Sequence, residues 1–147
     1  MRRPRVIAFI AIGVVLFVAI SLLLARYLTN ENRERDAVYA LLRDQARGDA
    51  RAMLERLKGC DSRCRANVEA NARRLERAGE VKILAYDSST SYALGHAEGP
   101  TRVAWTIVNR QLPVVQCVDV ERTGNVLTGT TISLRRLSVP IDRQGTC

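Results

Sequence analysis

Four cysteines are the residues best equipped for chemistry in this chain of 147 residues: Cys60, Cys64, Cys117 and Cys147. Cys60 and Cys64 bracket Asp61, Ser62 and Arg63 in the stretch GCDSRC. Thiols this close can exchange electrons, ligate a metal or staple the chain. A thioredoxin-type redox pair has two residues between its cysteines and opens a helix after a strand; here there are three, between Arg-rich segments. Zinc takes close-spaced ligand pairs, repeated or completed by histidines. A second pair would have to come from Cys117, Cys147 or the single histidine, His96, which are scattered. No metal and no cofactor is therefore expected. Stapling remains, and disulfides persist outside the reducing cytoplasm, so the compartment has to be read next.

The other groups able to do chemistry are Tyr39, Tyr86, Asp87, Tyr92, His96, Asp119 and Glu121. They form no Gly-x-Ser-x-Gly, phosphate-binding loop or His-Glu-x-x-His pattern. Acid–base catalysis needs only two placed groups, which no motif announces. No catalytic residue is assigned.

The compartment is written at the N-terminus. Val6 to Ala25 reads VIAFIAIGVVLFVAISLLLA, without a charge. Twenty helical residues at about 1.5 Å each match a hydrocarbon core of roughly 30 Å. A cleaved leader has a shorter apolar stretch and a small-x-small site. Here Leu23 occupies the outer small position before Arg26, so a retained anchor fits better. Arg2, Arg3 and Arg5 precede the span, and mixed charges follow it. That asymmetry keeps residues 1–5 cytoplasmic as a short tail and places the remainder of the chain outside. The expected division is a tail over 1–5, a transmembrane helix over 6–26, an extracytoplasmic domain over 29–140 and a C-terminal tail over 141–147.

The net charge of +8 invites a nucleic-acid reading, but its distribution opposes one. Residues 1–28 carry four Arg and no acid; residues 29–80 carry twelve basic and ten acidic groups; residues 81–147 carry seven and five. Half of the excess flanks the membrane span. Nucleic-acid binding needs a concentrated basic patch, and none is expected here.

The outer part divides into a helical half and a strand half. A helix is expected from Thr29 or Asn30 as cap to Gly48, with Ala37, Val38, Leu41 and Leu42 at helical spacing. Asp49 can cap a second, short helix with Met53, Leu54 and Leu57 on its apolar face; Gly59 ends it. Asp61 or Ser62 can cap a third, whose stripe is Cys64, Val68, Ala72 and Leu75. From Val81 the period becomes alternating. Strands are expected near 81–94, 101–109, 114–122 and 126–139. In the last, Ile132 and Leu134 share one face while Leu137 and Val139 share the other, which implies a bulge near Arg135. Short connections make an antiparallel meander the simplest topology. The fold class is α+β: a transmembrane helix, then about three helices packed on a curved antiparallel meander of about four strands.

Four cysteines allow three pairings. Cys60 closes one helix and Cys64 lies on the apolar stripe of the next, so a Cys60–Cys64 bridge would fix the corner between them. A Cys117–Cys147 bridge would hold the tail against the sheet. The rival is a link from the helical half to Cys117.

A first helix ending in the Gly48–Asp49 corner, further short helices and long bent strands resemble the nuclear transport factor 2-like (cystatin-like cone) fold over about residues 30–140. With one membrane span in front, the chain is similar to small envelope proteins of actinobacterial type. It is also similar to outer-membrane-facing domains of type IV secretion assembly proteins. The resemblance implies a pocket between sheet and helices, for which Tyr39, Tyr86, Trp105 and Asp119 are the candidate lining residues. Relatives such as ketosteroid isomerase-like enzymes place a buried Asp base and a Tyr or Asp donor there. The plainer reading puts Asp87 and Asp119 in solvent, His96 on the surface and Trp105 in the core beside Val103 and Ile107. The expected function is a non-enzymatic, membrane-anchored binding or interaction domain of the bacterial envelope. Its expected partners are the bilayer along Val6 to Ala25 and an envelope protein. The alternatives are an assembly component of a secretion or transport complex, or a small enzyme using the cone cavity.

Overall fold

The structure is a computed structural model that describes residues 3–90, 95–108, 112–125 and 129–147, with backbone alone at 3–5, 26–31 and 125. Its first element is one helix, α1, Arg3–Ala46, of 44 residues. The apolar run and the first helix of the domain are therefore a single rod. The break expected at Thr29 or Asn30 does not form, since that stretch contains neither Gly nor Pro to stop hydrogen bonding that both flanks favour. The side chains of Thr29 and Asn30 lie outside the described residues. Val6–Ala25 of α1 is long and apolar enough to cross a membrane, with a mean hydropathy of 3.1 and none of it buried by protein.

The second half of α1 becomes the core helix. Val38, Leu41, Leu42 and Ala46 are buried on one stripe, the spacing that brings side chains i, i+3 and i+4 together. The helix stops at Gly48, whose φ of +72° suits a residue without a Cβ. Asp49 then caps α2, Ala50–Arg56, accepting from the Ala52 amide at 2.9 Å. Asp61 caps α3, Ser62–Leu75, accepting from the Cys64 amide at 2.8 Å. Asp44, fully buried near the end of α1, pairs with Arg47 and Arg56 and so ties α1 to α2.

Four strands follow: β1 Val81–Ser88, β2 Ala97–Ile107, β3 Val114–Asn125 and β4 Gly129–Leu137. They pair antiparallel in chain order as an open meander. Asp119 pairs with Arg136 and Val120 with Leu134, so Arg135 is the extra residue of a bulge. That is the position where the apolar phase of the strand switches. A second bulge at Leu84 of β1 leaves that side chain exposed. The first strand, expected over 81–94, gives way to a turn after Ser88, and the second begins at Ala97 instead of 101. The remainder of the first expected strand at 91–94, residues 109–111 and the expected strand start at 126–128 lie outside the described residues, as does Tyr92.

One face of the sheet packs against α1, through Val103, Trp105, Val118, Val120 and Leu134. The C-terminal tail crosses the other face. Ile141 bridges to Val115, and Arg102 donates to the carbonyl oxygens of Arg143 and Gly145. Cys147 is bonded to Cys117, and Cys60 is bonded to Cys64 at the α2–α3 corner. In the chain-entropy model the longer loop adds roughly 3–4 kcal/mol and the shorter about 2 kcal/mol. Non-reducing peptide mapping is expected to join 60 with 64 and 117 with 147. A peptide linking 60 or 64 to 117 would contradict this arrangement. Cys117→Ser paired with Cys147→Ser should lower stability by about 2–4 kcal/mol, read as a fall in the denaturant midpoint.

Candidate functional site

The most concentrated chemistry lies where α1 first meets the sheet. Glu34 is fully buried on the stripe of Val38 and Leu41. Arg122 is 2% exposed and lies in phase with the inward residues Val118 and Val120 of β3. Its Nε donates to Glu34 Oε2 at 2.9 Å, and its Nη2 donates to the same oxygen. Thr90 Oγ1 also donates to Oε2, at 3.0 Å. Tyr86 Oη and Thr101 Oγ1 donate to Oε1, at 2.7 and 2.9 Å. A buried carboxylate is costly unless paired and saturated, and this one has both a cation and hydroxyl donors from β1, β2 and the turn after β1.

Burial by itself pushes the Glu34 pKa up. Hydrogen bonds from Tyr86, Ser88, Arg122 and Thr101 outweigh that effect and hold it below the ordinary carboxylate value. Tyr86 moves the other way: burial and the adjacent Glu34 charge raise its pKa far above that of a free phenol. A carboxylate held ionised with its lone pairs occupied is poorly placed to take a proton, and a phenol pushed upward stays neutral. The cluster is built to lock rather than to transfer protons. A depressed carboxylate pKa contributes stability that is present above the unfolded value near about 4.3 and is lost as pH falls through the folded value. Thermal melts from about pH 7 down to about pH 3 should show a steeper acid loss for the native chain than for Glu34→Gln, which has no proton to gain.

A second buried polar group sits at the other end of the core. Trp105 Nε1 and Gln45 Nε2 each donate to Gln116 Oε1 at 2.9 Å. Gln116 Nε2 donates to the Ser138 carbonyl at 2.9 Å, which Asn71 Nδ2 also reaches at 2.9 Å. Trp105, 2% exposed, is thus a core residue with its polar edge satisfied.

The four residues expected to line a pocket are not brought together. Tyr39 is half-buried on α1 and packs against the core. Tyr86 belongs to the Glu34 cluster and Trp105 to the Gln116 group. Asp119 is out of phase with the inward Val118 and Val120, and accepts from Arg136 Nε at 2.9 Å. It lines a groove of about 300 Å³ with Asp61, Arg63 and Asn67 of α3. That groove also has Cys64 and Cys117 in its walls, one cysteine from each disulfide. Asp87 and His96 are exposed, and Glu121 pairs with Arg135 at 2.6 Å. Among the described residues no group of His, Cys, Asp and Glu is placed to hold a metal ion.

Glu34 and Arg122 are the residues that sequence reasoning missed. The signal was their phase. Each charge falls on the apolar stripe of its element, where an unpaired charge would not be tolerated. Comparison with known proteins gives no match: no family model fits the chain, and no curated protein or solved structure is similar to it.

Proposed function

We propose that this chain is a single-pass membrane protein of the bacterial cell envelope, with its N-terminus in the cytoplasm and its folded domain outside. There the domain serves as a non-enzymatic binding or interaction module. One observation carries the reading: the helix that is apolar and uncovered over Val6–Ala25 is the same helix that forms the core of the domain. The domain is thereby held at the membrane by its own core. Two disulfides support an oxidising compartment, and Arg2, Arg3 and Arg5 support the orientation.

The interior bears on the choice between binder and enzyme. The space between α1 and the sheet is filled by Trp105, Gln45, Gln116, Glu34 and Arg122, each of them hydrogen-bonded to another of the group. That supports recognition at the surface over catalysis in a cone cavity. The nuclear transport factor 2-like resemblance belongs to the same proposal. Helices before a four-stranded antiparallel meander support it, whereas the filled interior does not. Purification of the full chain from detergent-solubilised membranes after crosslinking in cells tests the interaction role. A stoichiometric envelope partner is expected, and recovery of the chain alone would count against it.

A further inference from the structure

We infer that the groove between α3 and the outer face of β3 and β4 is where the domain takes its partner, and that the occupant is a short extended peptide segment carrying an acidic and a basic side chain close together. The inference rests on the proposed interaction role, and it names the place and the chemistry of that interaction.

Two contacts align α3 with the sheet. Cys64 Sγ lies 4.0 Å from the Arg135 carbonyl oxygen, and Asn71 Nδ2 donates to the Ser138 carbonyl at 2.9 Å. From 64 to 71 along a helix and from 135 to 138 along an extended chain are each roughly 10 Å. α3 therefore runs beside β4 in the same direction, and the groove of about 300 Å³ follows that seam. Ligand pockets usually measure roughly 300–1,000 Å³. The α3 wall runs from Asp61 to Asn67, about 9 Å of helix and the reach of about three extended residues.

Each side of the groove presents both signs of charge. Asp61 and Arg63 stand on α3, and Asp119 and Arg136 on the sheet. The bulge in β4 puts Arg136 there: with Arg135 added, Leu134 and Leu137 both pack inward while Arg136 meets Asp119 on the outer face. A ligand of one sign, such as a phosphate or a polycation, meets as much repulsion as attraction. A peptide with one acid and one base finds a partner for each. The groups that would hold it are uncommitted. Among the described residues Arg63 forms no ion pair and the Asn67 side chain no hydrogen bond. Arg136 engages Asp119 through Nε, which leaves its two terminal nitrogens as donors. Leu137 and the two cysteines supply apolar surface between the charges.

Both disulfides hold this seam. Cys60–Cys64 pins the first turn of α3, and Cys117–Cys147 pins the floor to the C-terminal tail. A site fixed before binding gives up less conformational freedom when it is filled.

The experiment pans a random heptapeptide phage library on the full chain in phospholipid nanodiscs, after subtraction on empty nanodiscs. Enriched peptides are expected to carry an acid and a base within about three residues of each other. Their affinity is expected to fall about tenfold or more in Arg63→Glu, which reverses a wall charge, and in Asn67→Trp, which fills the groove. Lys82→Glu, on the exposed part of β1, is expected to leave it unchanged, and unfolding midpoints verify that all three variants fold. Enriched peptides of one charge sign, or affinities that neither groove variant moves, would overturn the groove and leave the interaction role standing. No enrichment would also overturn the groove inference; recovery of the chain without a partner after crosslinking in cells is the separate result that counts against the interaction role.

Discussion

Glu34→Ala or Arg122→Ala is expected to cost about 3–5 kcal/mol of folding stability, because each leaves the other charge buried without its partner. For a domain of this size the corresponding fall in melting temperature is roughly 10–25 °C. The penalty has two sources. Removing the guanidinium strands a carboxylate that is fully buried on α1, and removing the carboxylate orphans the guanidinium together with Tyr86, Thr90 and Thr101. Neutralising both, as Glu34→Leu with Arg122→Met, should destabilise less than either single change, because no charge then remains to be desolvated. The double-mutant cycle in nanodiscs measures this coupling. Additive single effects would mean that the pair does not act as a unit. The consequence reaches beyond stability, since this pair is the first place where α1, after its apolar run, grips the sheet.

Trp105→Ala is expected to cost about 3–5 kcal/mol, the range for emptying a large aromatic site in a packed core. Trp105 is 2% exposed between Val103 and Ile107 and bonds Gln116. Trp105→Phe separates packing from polarity. It keeps most of the volume but takes one donor from Gln116, which still accepts from Gln45, so a loss of about 1–2 kcal/mol is expected. Denaturant midpoints for the two variants check both values. A platform for a ligand would behave differently: Trp105→Ala would leave the unfolding midpoint in place.

These expectations show where the sequence was informative. Asp49 and Asp61 each follow a glycine-bounded stop by one or two residues, and each caps the helix that its position announced. The switch of apolar phase between Leu134 and Leu137 located the bulge at Arg135, because a strand must alternate unless a residue is added. The α+β class followed from the change of period at Val81. The continuity of α1 did not. Thr29 and Asn30 are good caps, but a cap residue ends a helix only where the backbone leaves it, and nothing in that stretch forces it to leave.

The buried cluster was half legible. Glu34 sits in a run of mixed charges with Arg33, Arg35 and Asp36, which reads as a solvated stalk until its phase with Val38 and Leu41 is counted. Arg122 ends the strand expected over 114–122, where a charge is ordinary. That the two meet across 88 positions of chain is a fact of packing, and one sequence has no local term that encodes it. The same holds for Gln45 and Gln116, separated by 71 positions. The Asp119–Arg136 pair on the outer face is likewise set by the register of β3 against β4.

The central claim is that an oxidised domain stands outside the membrane on the helix that crosses it. The two lysines of the chain, Lys58 on the α2–α3 connection and Lys82 on β1, are both exposed and both in that domain. Intact spheroplasts treated with a membrane-impermeant amine-reactive reagent test the claim directly. Lys58 and Lys82 are expected to be modified before lysis, in a chain that remains with the membrane fraction. Modification of both lysines only after lysis would contradict it.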